Sequence, residues 1–367
     1  MCQTVSSEGI YGSGQRTVAV AEAVGLVLAH DITEIRQNEF KGRAFKRGQV
    51  VKQEDIGHLL RLGKENLFVL NLRDDEMHED TAAEAMARAL MGEGVELKGG
   101  PKEGKINIIA KRDGLLRINK EALFQFNLLG EVMCATLHDG TLVKKGQVVA
   151  GTRAIPLVIS RNVIERAVET AKNAGWTIGV KEIRKPKAGI VITGSEIYYQ
   201  RIKDAFAPVI IEKVKSYGGE IVGLHYAPDD RNTIARKLET LIERGADLLI
   251  TTGGMSVDPD DVTRFAIKSL GAVDFNYGAA VLPGSMFLIA YLDPSKGNGN
   301  STVSTKIPVL GIPACGMYAT TTVFDLVLPR ILAGEPVGRR ELAEMGHGGL
   351  CLKCKECRYP VCPFGKG

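Results

Sequence analysis

The sequence predicts an α/β fold built on a parallel sheet in three layers, with β-rich accessory regions ahead of it. Two observations carry that expectation. From Lys187 onwards, apolar runs and amphipathic segments alternate as strand, helix, strand, helix, strand. This order buries a parallel sheet between helices on both faces. Three of the apolar runs also end alike: Ile192 leads into TGSE, Ile250 into TTGGMS and Leu310 into GIPACGM. In a parallel sheet these three ends lie along one edge, where such folds take their ligands.

The elements follow in order. Thr17 to Ala29 reads as a helix, because Val18, Ala21, Val24, Val27 and Leu28 recur at helical spacing. FKRGQVV (Phe45 to Val51) and VKKGQVV (Val143 to Val149) each set Gly between a basic pair and a β-branched pair. Both read as separate hairpin turns leading into strands. DDEMHED (Asp74 to Asp80) reads as the solvated lead-in to a helix, with Asp80 or Thr81 as N-cap. A further helix is predicted from Arg161 to Ala174. AGIVITG is then a buried strand, and Asp204 to Tyr217 a helix with Phe206, Ile210, Val214 and Tyr217 on one face. GGEIVGLHYA holds a strand. RNTIARKLETLIERG is a helix that turns Ile234, Leu238, Leu241 and Ile242 inward and stops at Gly245. ADLLITT is a strand, and a helix runs from about Asp261 to Leu270. PSKGNGNSTVSTK is a polar loop inside a hairpin, IPVLGIP a strand, and MYATTTVFDLVLPRILAG a helix whose last turn Pro329 loosens.

A chain of 367 residues is too long for one typical core. The expected divisions are an N-terminal region over 1–74, a β-rich accessory domain and linking helix over 75–186, a ligand-binding domain over 187–334 and a cysteine-rich tail over 335–367. The net charge of +4 is small for this length and argues against nucleic acid as a partner. No apolar run approaches the roughly 18 residues that cross a bilayer, and the start, MCQTVSSEGIYGSG, has no apolar signal core. A cytoplasmic protein with no membrane partner is the expectation.

The stretch TTGGMSVDPDD (Thr251 to Asp261) is the centre of the candidate site. Glycines allow close backbone approach to a ligand, and helix N-termini along the edge favour phosphate or another anion. Thr251, Thr252, Ser195 and Ser256 add hydroxyls. Asp258, Asp260 and Asp261 would repel a bare phosphate, and they make sense if Mg²⁺ sits between carboxylates and phosphate oxygens. At least one of the three also suits the start of the following helix. In the tail, Cys351, Cys354, Cys357 and Cys362 follow the spacing C-x2-C-x2-C-x4-C. Four thiolates can close a tetrahedral Zn²⁺ site or hold an iron–sulfur cluster, and three cysteines in close succession lean towards the cluster. Lys353, Lys355, Arg358 and Lys366 would offset the thiolate charge.

TGGMSVDPDD, TGSE (Thr193 to Glu196) and GGEIVGLHYAPDD (Gly218 to Asp230) together resemble the molybdopterin-binding domain of molybdopterin molybdenumtransferases and of the gephyrin E domain. The resemblance runs from about Lys187 to Gly334. It extends more weakly to EAVGLVLAHDI and GRAFKRGQVVKQEDIGHLLRLG, which look like the transferase family's N-terminal region. It implies molybdopterin or its adenylylated form as ligand, Mg²⁺, molybdate as second substrate, and a homodimer. By position, Thr193, Gly194, Ser195, Glu196, Thr252, Gly253, Gly254, Ser256, Pro313 and Gly316 would contact the ligand. Asp261 and Asp258 would handle the metal ion or molybdate. The chain departs from the family pattern at RQNEFKGR, where the family has DGYA. It departs again at PGSM (Pro283 to Met286) in place of PGKP, and at PACG (Pro313 to Gly316) in place of PGNP. These departures keep open a carrier or sensor that docks on a molybdoenzyme through its tail. A third reading is a nucleotide-cleaving enzyme resembling competence-damage proteins.

Overall fold

The computed structural model describes residues 15–36, 40–70, 72–255, 261–293 and 306–367. The chain divides into two compact units: Met1–Asp139 with Val143–Lys181, and Gly140–Leu142 with Glu182–Gly367.

The first unit opens with strand β1 (Gln15–Ala19). Strands β2 (Ile32–Arg36) and β3 (Phe40–Phe45), helix α1 (Ile56–Arg61) and strand β4 (Asn66–Leu70) follow. β1 pairs antiparallel with β4, and β2 with β3. The helix expected over 17–29 does not form. Thr17 and Val18 pair instead with Phe68 and Leu67, and only Val20–Glu22 takes a single 3₁₀ turn. The apparent apolar stripe is not a buried face, since Val24 is 42% and Val27 39% exposed. Gly25, at φ +83°, turns the chain out of helical geometry.

Next come β5 (Glu76–His78), α2 (Glu79–Leu90), β6 (Val95–Leu97), β7 (Lys105–Ala110), β8 (Gly114–Ile118), α3 (Lys120–Asn127) and β9 (Val132–Thr136). β10 (Leu142–Val143) straddles the division between the units, and the first unit continues through β11 (Val148–Ala154), β12 (Val158–Ser160), α4 (Arg161–Asn173) and β13 (Ile178–Lys181). Helix α4 forms where the periodicity places it. A four-stranded sheet has the order β6-β7-β11-β9. Helix α2 covers its core with Ala82, Ala83, Met86, Ala87 and Leu90, all fully buried. Alanines at this spacing let the helix approach closely, and each buried Leu or Met contributes about 1.5–3 kcal/mol.

DDEMHED is not a solvated lead-in. Glu76–His78 pairs with β12, and Glu76, His78 and Glu79 are buried. The N-cap of α2 is His78, whose Nδ1 accepts from the Asp80 N–H at 3.1 Å. Its Nε2 lies 2.7 Å from the Ala29 carbonyl. Burial lowers the His78 pKa, so the ring is neutral, with Nε2–H donating and Nδ1 accepting.

The two basic-Gly-Gln phrases build one turn twice. Gly48 and Gly146 take φ +77° and +82°. The Gln49 and Gln147 amides donate to the carbonyls of Lys46 and Lys144, each at 3.0 Å. The same glutamines accept through Oε1 from the Lys46 and Lys144 N–H groups, at 3.3 and 3.0 Å.

The second unit contains β14 (Lys187–Thr193), α5 (Ser195–Tyr198), α6 (Phe206–Ser216), β15 (Glu220–Ala227), α7 (Arg231–Glu243) and β16 (Leu248–Thr252). It continues with α8 (Thr263–Ser269), β17 (Val273–Tyr277), β18 (Leu288–Leu292), β19 (Ile307–Ile312), α9 (Val323–Leu332) and α10 (Arg339–Glu344). Six strands form a sheet in the order β15-β14-β16-β19-β18-β17. The first four run parallel, and β18 runs antiparallel to both its neighbours. The parallel-sheet expectation thus holds for four strands. β18 and β19 form the expected hairpin, whose polar loop over 294–305 lies outside the described residues.

Alternation along the strands feeds two cores. Ile190, Ile192, Ile250 and Leu310 face α6 and α9, while Val191, Leu249 and Val309 face α7 and α8. This is the three-layer arrangement the sequence predicts. The chain leaves β14 for β15 on one side and returns to β16 on the other. The switch point therefore falls between Thr193 and Thr252.

Candidate functional site

Thr193 and Thr252 end the adjacent parallel strands β14 and β16 and are buried. The Thr193 hydroxyl donates to the Thr252 carbonyl at 2.7 Å and meets the Thr263 hydroxyl at 2.9 Å. It ties the two strand ends and α8 together rather than facing a ligand. Gly253 and Gly254 then turn the chain at φ +77° and +57°. A Cβ at Gly253 would stand 2.3 Å from the Thr193 carbonyl oxygen, and one at Gly254 2.4 Å from Thr263 Oγ1. The glycines are thus required by the turn itself, and the turn leaves their backbone on the cavity wall. Tyr277 donates its hydroxyl to the Met255 carbonyl and holds the turn from the far side.

That wall belongs to a cavity of about 520 Å³. Gly253, Gly254, Asp261 and Pro313, all expected at the site, line it. So do Ser285 and Met286 from PGSM, Cys315, and Leu350, Cys351 and Lys353 from the tail. Asp261 Oδ2 is buried and has no hydrogen-bond partner among the described residues. The Thr251 and Thr252 hydroxyls and Arg264 Nε share that condition. An unpaired buried carboxylate oxygen costs free energy unless a cation or donor reaches it. Asp261 therefore fits a hard cation held at this edge. Ser256, Asp258 and Asp260 lie outside the described residues.

The other expected contacts stand apart from the cavity. Gly194 takes φ +135°, and a Cβ there would stand 2.8 Å from Glu196 Oε1. The Ser195 N–H donates to Asp229 Oδ2 at 2.8 Å, and the Asp229 N–H donates to Ser195 Oγ at 3.3 Å. This clasp joins the TGSE turn to the turn at Pro228–Asp230, where Asp230 caps α7 through the Thr233 N–H at 2.7 Å. Gly316 packs beneath the edge, since a Cβ on it would meet Ile312 Cγ2 at 2.6 Å. Cys315 is half-buried, and burial pushes its thiol pKa up, so it is a protonated wall residue and not a thiolate nucleophile.

The tail reaches the cavity by pairing with the PGSM loop. The Leu282 N–H donates to the Gly349 carbonyl at 2.8 Å, and the Cys351 N–H to the Leu282 carbonyl at 2.9 Å. Lys353, seen from the sequence only as a counter-charge to thiolates, becomes the cationic side chain in the lining, opposite Asp261 in sign. No local pattern signals this long-range placement. Phe364 is buried and the Tyr359 hydroxyl donates to the Asp325 carbonyl at 3.0 Å, so apolar and backbone contacts hold the tail. Among the described residues, no three His, Cys, Asp or Glu side chains stand close enough to hold one metal ion. Also among the described residues, no helix is long and apolar enough to cross a membrane.

Residues 189–333 match the family described as probable molybdopterin binding domain, and residues 17–71 match a domain of unknown function (DUF8806). A molybdopterin molybdenumtransferase of Synechococcus elongatus is 26% identical over 180 residues, 46% of this chain and 42% of that protein. A CinA-like protein of Mycobacterium avium is 35% identical over 77 residues, 21% of this chain and 18% of that protein. The chain thus spans less than half the length of these curated relatives. Among solved structures, the molybdopterin biosynthesis enzyme MoaB of Thermus thermophilus is 20% identical at a TM-score of 0.33, covering 41% of this chain and 98% of that one. Residues 189–333, with their glycine-rich turn at the switch point, belong to the molybdopterin-binding domain family.

Proposed function

We propose that the cavity lined by the turns after β16 and β19 binds molybdopterin, or its adenylylated form, and that the protein serves molybdenum cofactor biosynthesis by Mg²⁺-dependent insertion of molybdate. The observation that carries this reading is the buried, unpartnered Asp261 carboxylate oxygen beside the Gly253–Gly254 backbone in one cavity. Asp261 would hold Mg²⁺, which when bound neutralises oxyanion charge that the carboxylate would otherwise repel. The exposed backbone of the glycine turn orients the ligand along the edge. Lys353 supplies a compact point charge for a phosphate group. The Thr193–Thr252–Thr263 hydrogen bonds fix the turn so that these groups keep their positions. Molybdate is the second substrate, and the protein acts as a homodimer, as the family resemblance implies.

Anaerobic titration with molybdopterin, with and without Mg²⁺, tests the reading. Binding is expected to tighten with Mg²⁺, and Asp261→Ala to remove that dependence. Lys353→Gln is expected to weaken binding about ten-fold, the loss of one charge-assisted contact of about 1.4 kcal/mol. A folded protein that binds nucleotides but no molybdopterin would sink the proposal. Binding without molybdate turnover would instead identify a carrier that hands its ligand to a molybdoenzyme.

A further inference from the structure

The geometry points to a [4Fe–4S] cluster site formed by Cys351, Cys354, Cys357 and Cys362, in a cavity that adjoins the ligand cavity at the sheet edge. All four cysteines line one cavity of about 400 Å³. Three of them follow one another at C-x2-C-x2-C spacing, the close succession in which cysteines hold iron–sulfur clusters, whose irons each take a different thiolate, whereas zinc ribbons set two C-x2-C pairs far apart.

The surroundings fit that occupant. Lys353 and Arg358 also line the cavity and offset the net negative charge of a tetrathiolate cluster. Thr321 Oγ1 lies 3.4 Å from Cys357 Sγ, a hydrogen bond to sulfur of the kind that tunes such clusters. Tyr359 and Phe364 form an apolar floor, and the backbone bonds to Leu282 fix the start of the cysteine segment. Loading is a ligand exchange. Four thiols lose their protons to solvent, and four Fe–S bonds form to a preformed cluster supplied by a cluster-carrier protein. The carrier's own ligands leave, and no electron moves.

Position gives the site its interest. Pro283, Cys315, Leu350, Cys351 and Lys353 line both cavities, so the cluster would sit in the wall of the ligand cavity. The assignment is independent of which ligand the sheet edge takes.

The full chain, made in iron-supplemented cells and purified without oxygen, is expected to carry about four iron and four sulfide per molecule. It should also give the paramagnetic resonance signal of a reduced cluster after dithionite. The double variant Cys354→Ser, Cys357→Ser changes two exposed positions. It is expected to lose the iron and keep its circular dichroism spectrum. Cys315→Ser is expected to keep the iron. About one zinc per chain without sulfide overturns the proposal in favour of a single ion. A folded wild-type protein with neither iron nor sulfide overturns it, and so does iron that survives the double substitution. Loss of iron in Cys315→Ser overturns the four-ligand assignment.

Discussion

Glu79 shows what a single residue costs and where its cost is felt. It is buried beside Asp80, with the Arg153 guanidinium 3.6 Å away. Burial, with Asp80 adding to it, pushes its pKa up from 4.5 to about 7, against the pull of Arg153 and Arg47. A carboxyl whose folded pKa is raised binds its proton more tightly folded than unfolded. Stability is therefore lost as pH rises from about 4.5 to about 7, by up to roughly 3 kcal/mol. Glu79→Gln is expected to flatten that dependence, so that denaturant midpoints measured at pH 5 and pH 8 converge. Midpoints that still diverge as in the wild type would show that another group carries the titration. Asp261 is the contrasting residue: it is left with an unpartnered oxygen in a cavity, where a ligand can repay the cost.

At the scale of elements, the turn after β16 is held by chain geometry on both sides. Gly254→Ala places a Cβ against Thr263 Oγ1 at a left-handed position, and is expected to destabilise the protein by about 1–3 kcal/mol. Thermal denaturation measures this, and an unchanged midpoint would mean that the turn relaxes freely. The strands on either side were legible because full burial leaves uninterrupted apolar runs, as in AGIVITG and ADLLITT. Helices α4, α6 and α7 were legible because one face of each is wet. Elements whose fate depends on distant partners were not. Thr17 and Val18 look helical by spacing and are strands because β4 offers an edge. His78 reads as part of a charged loop and is a buried cap because Ala29 and Asp80 satisfy both its nitrogens. Of the candidate site, the glycine turn and Asp261 were legible from composition. Lys353 was not, because only the folded tail brings it to the cavity.

At the scale of the molecule, the tail is the part that local pattern describes least. It holds no regular strand or helix beyond α10, yet it is the far wall of the ligand cavity. Its attachment there rests on two backbone hydrogen bonds to Leu282, on the Tyr359 hydroxyl bond to the Asp325 carbonyl and on the burial of Phe364. A molecule occupying the cavity would add contacts to Leu350, Cys351 and Lys353 of the tail, so occupancy and tail release become linked equilibria. Release of the tail is therefore a clock that the ligand slows. Amide exchange at Gly349 to Lys353, or the rate at which a protease trims the chain after Leu350, should fall as the cavity fills. Equal rates in the empty and saturated protein would uncouple the two. Where the rates differ, the last residues of the chain report, from outside the glycine turn, whether that turn is holding anything.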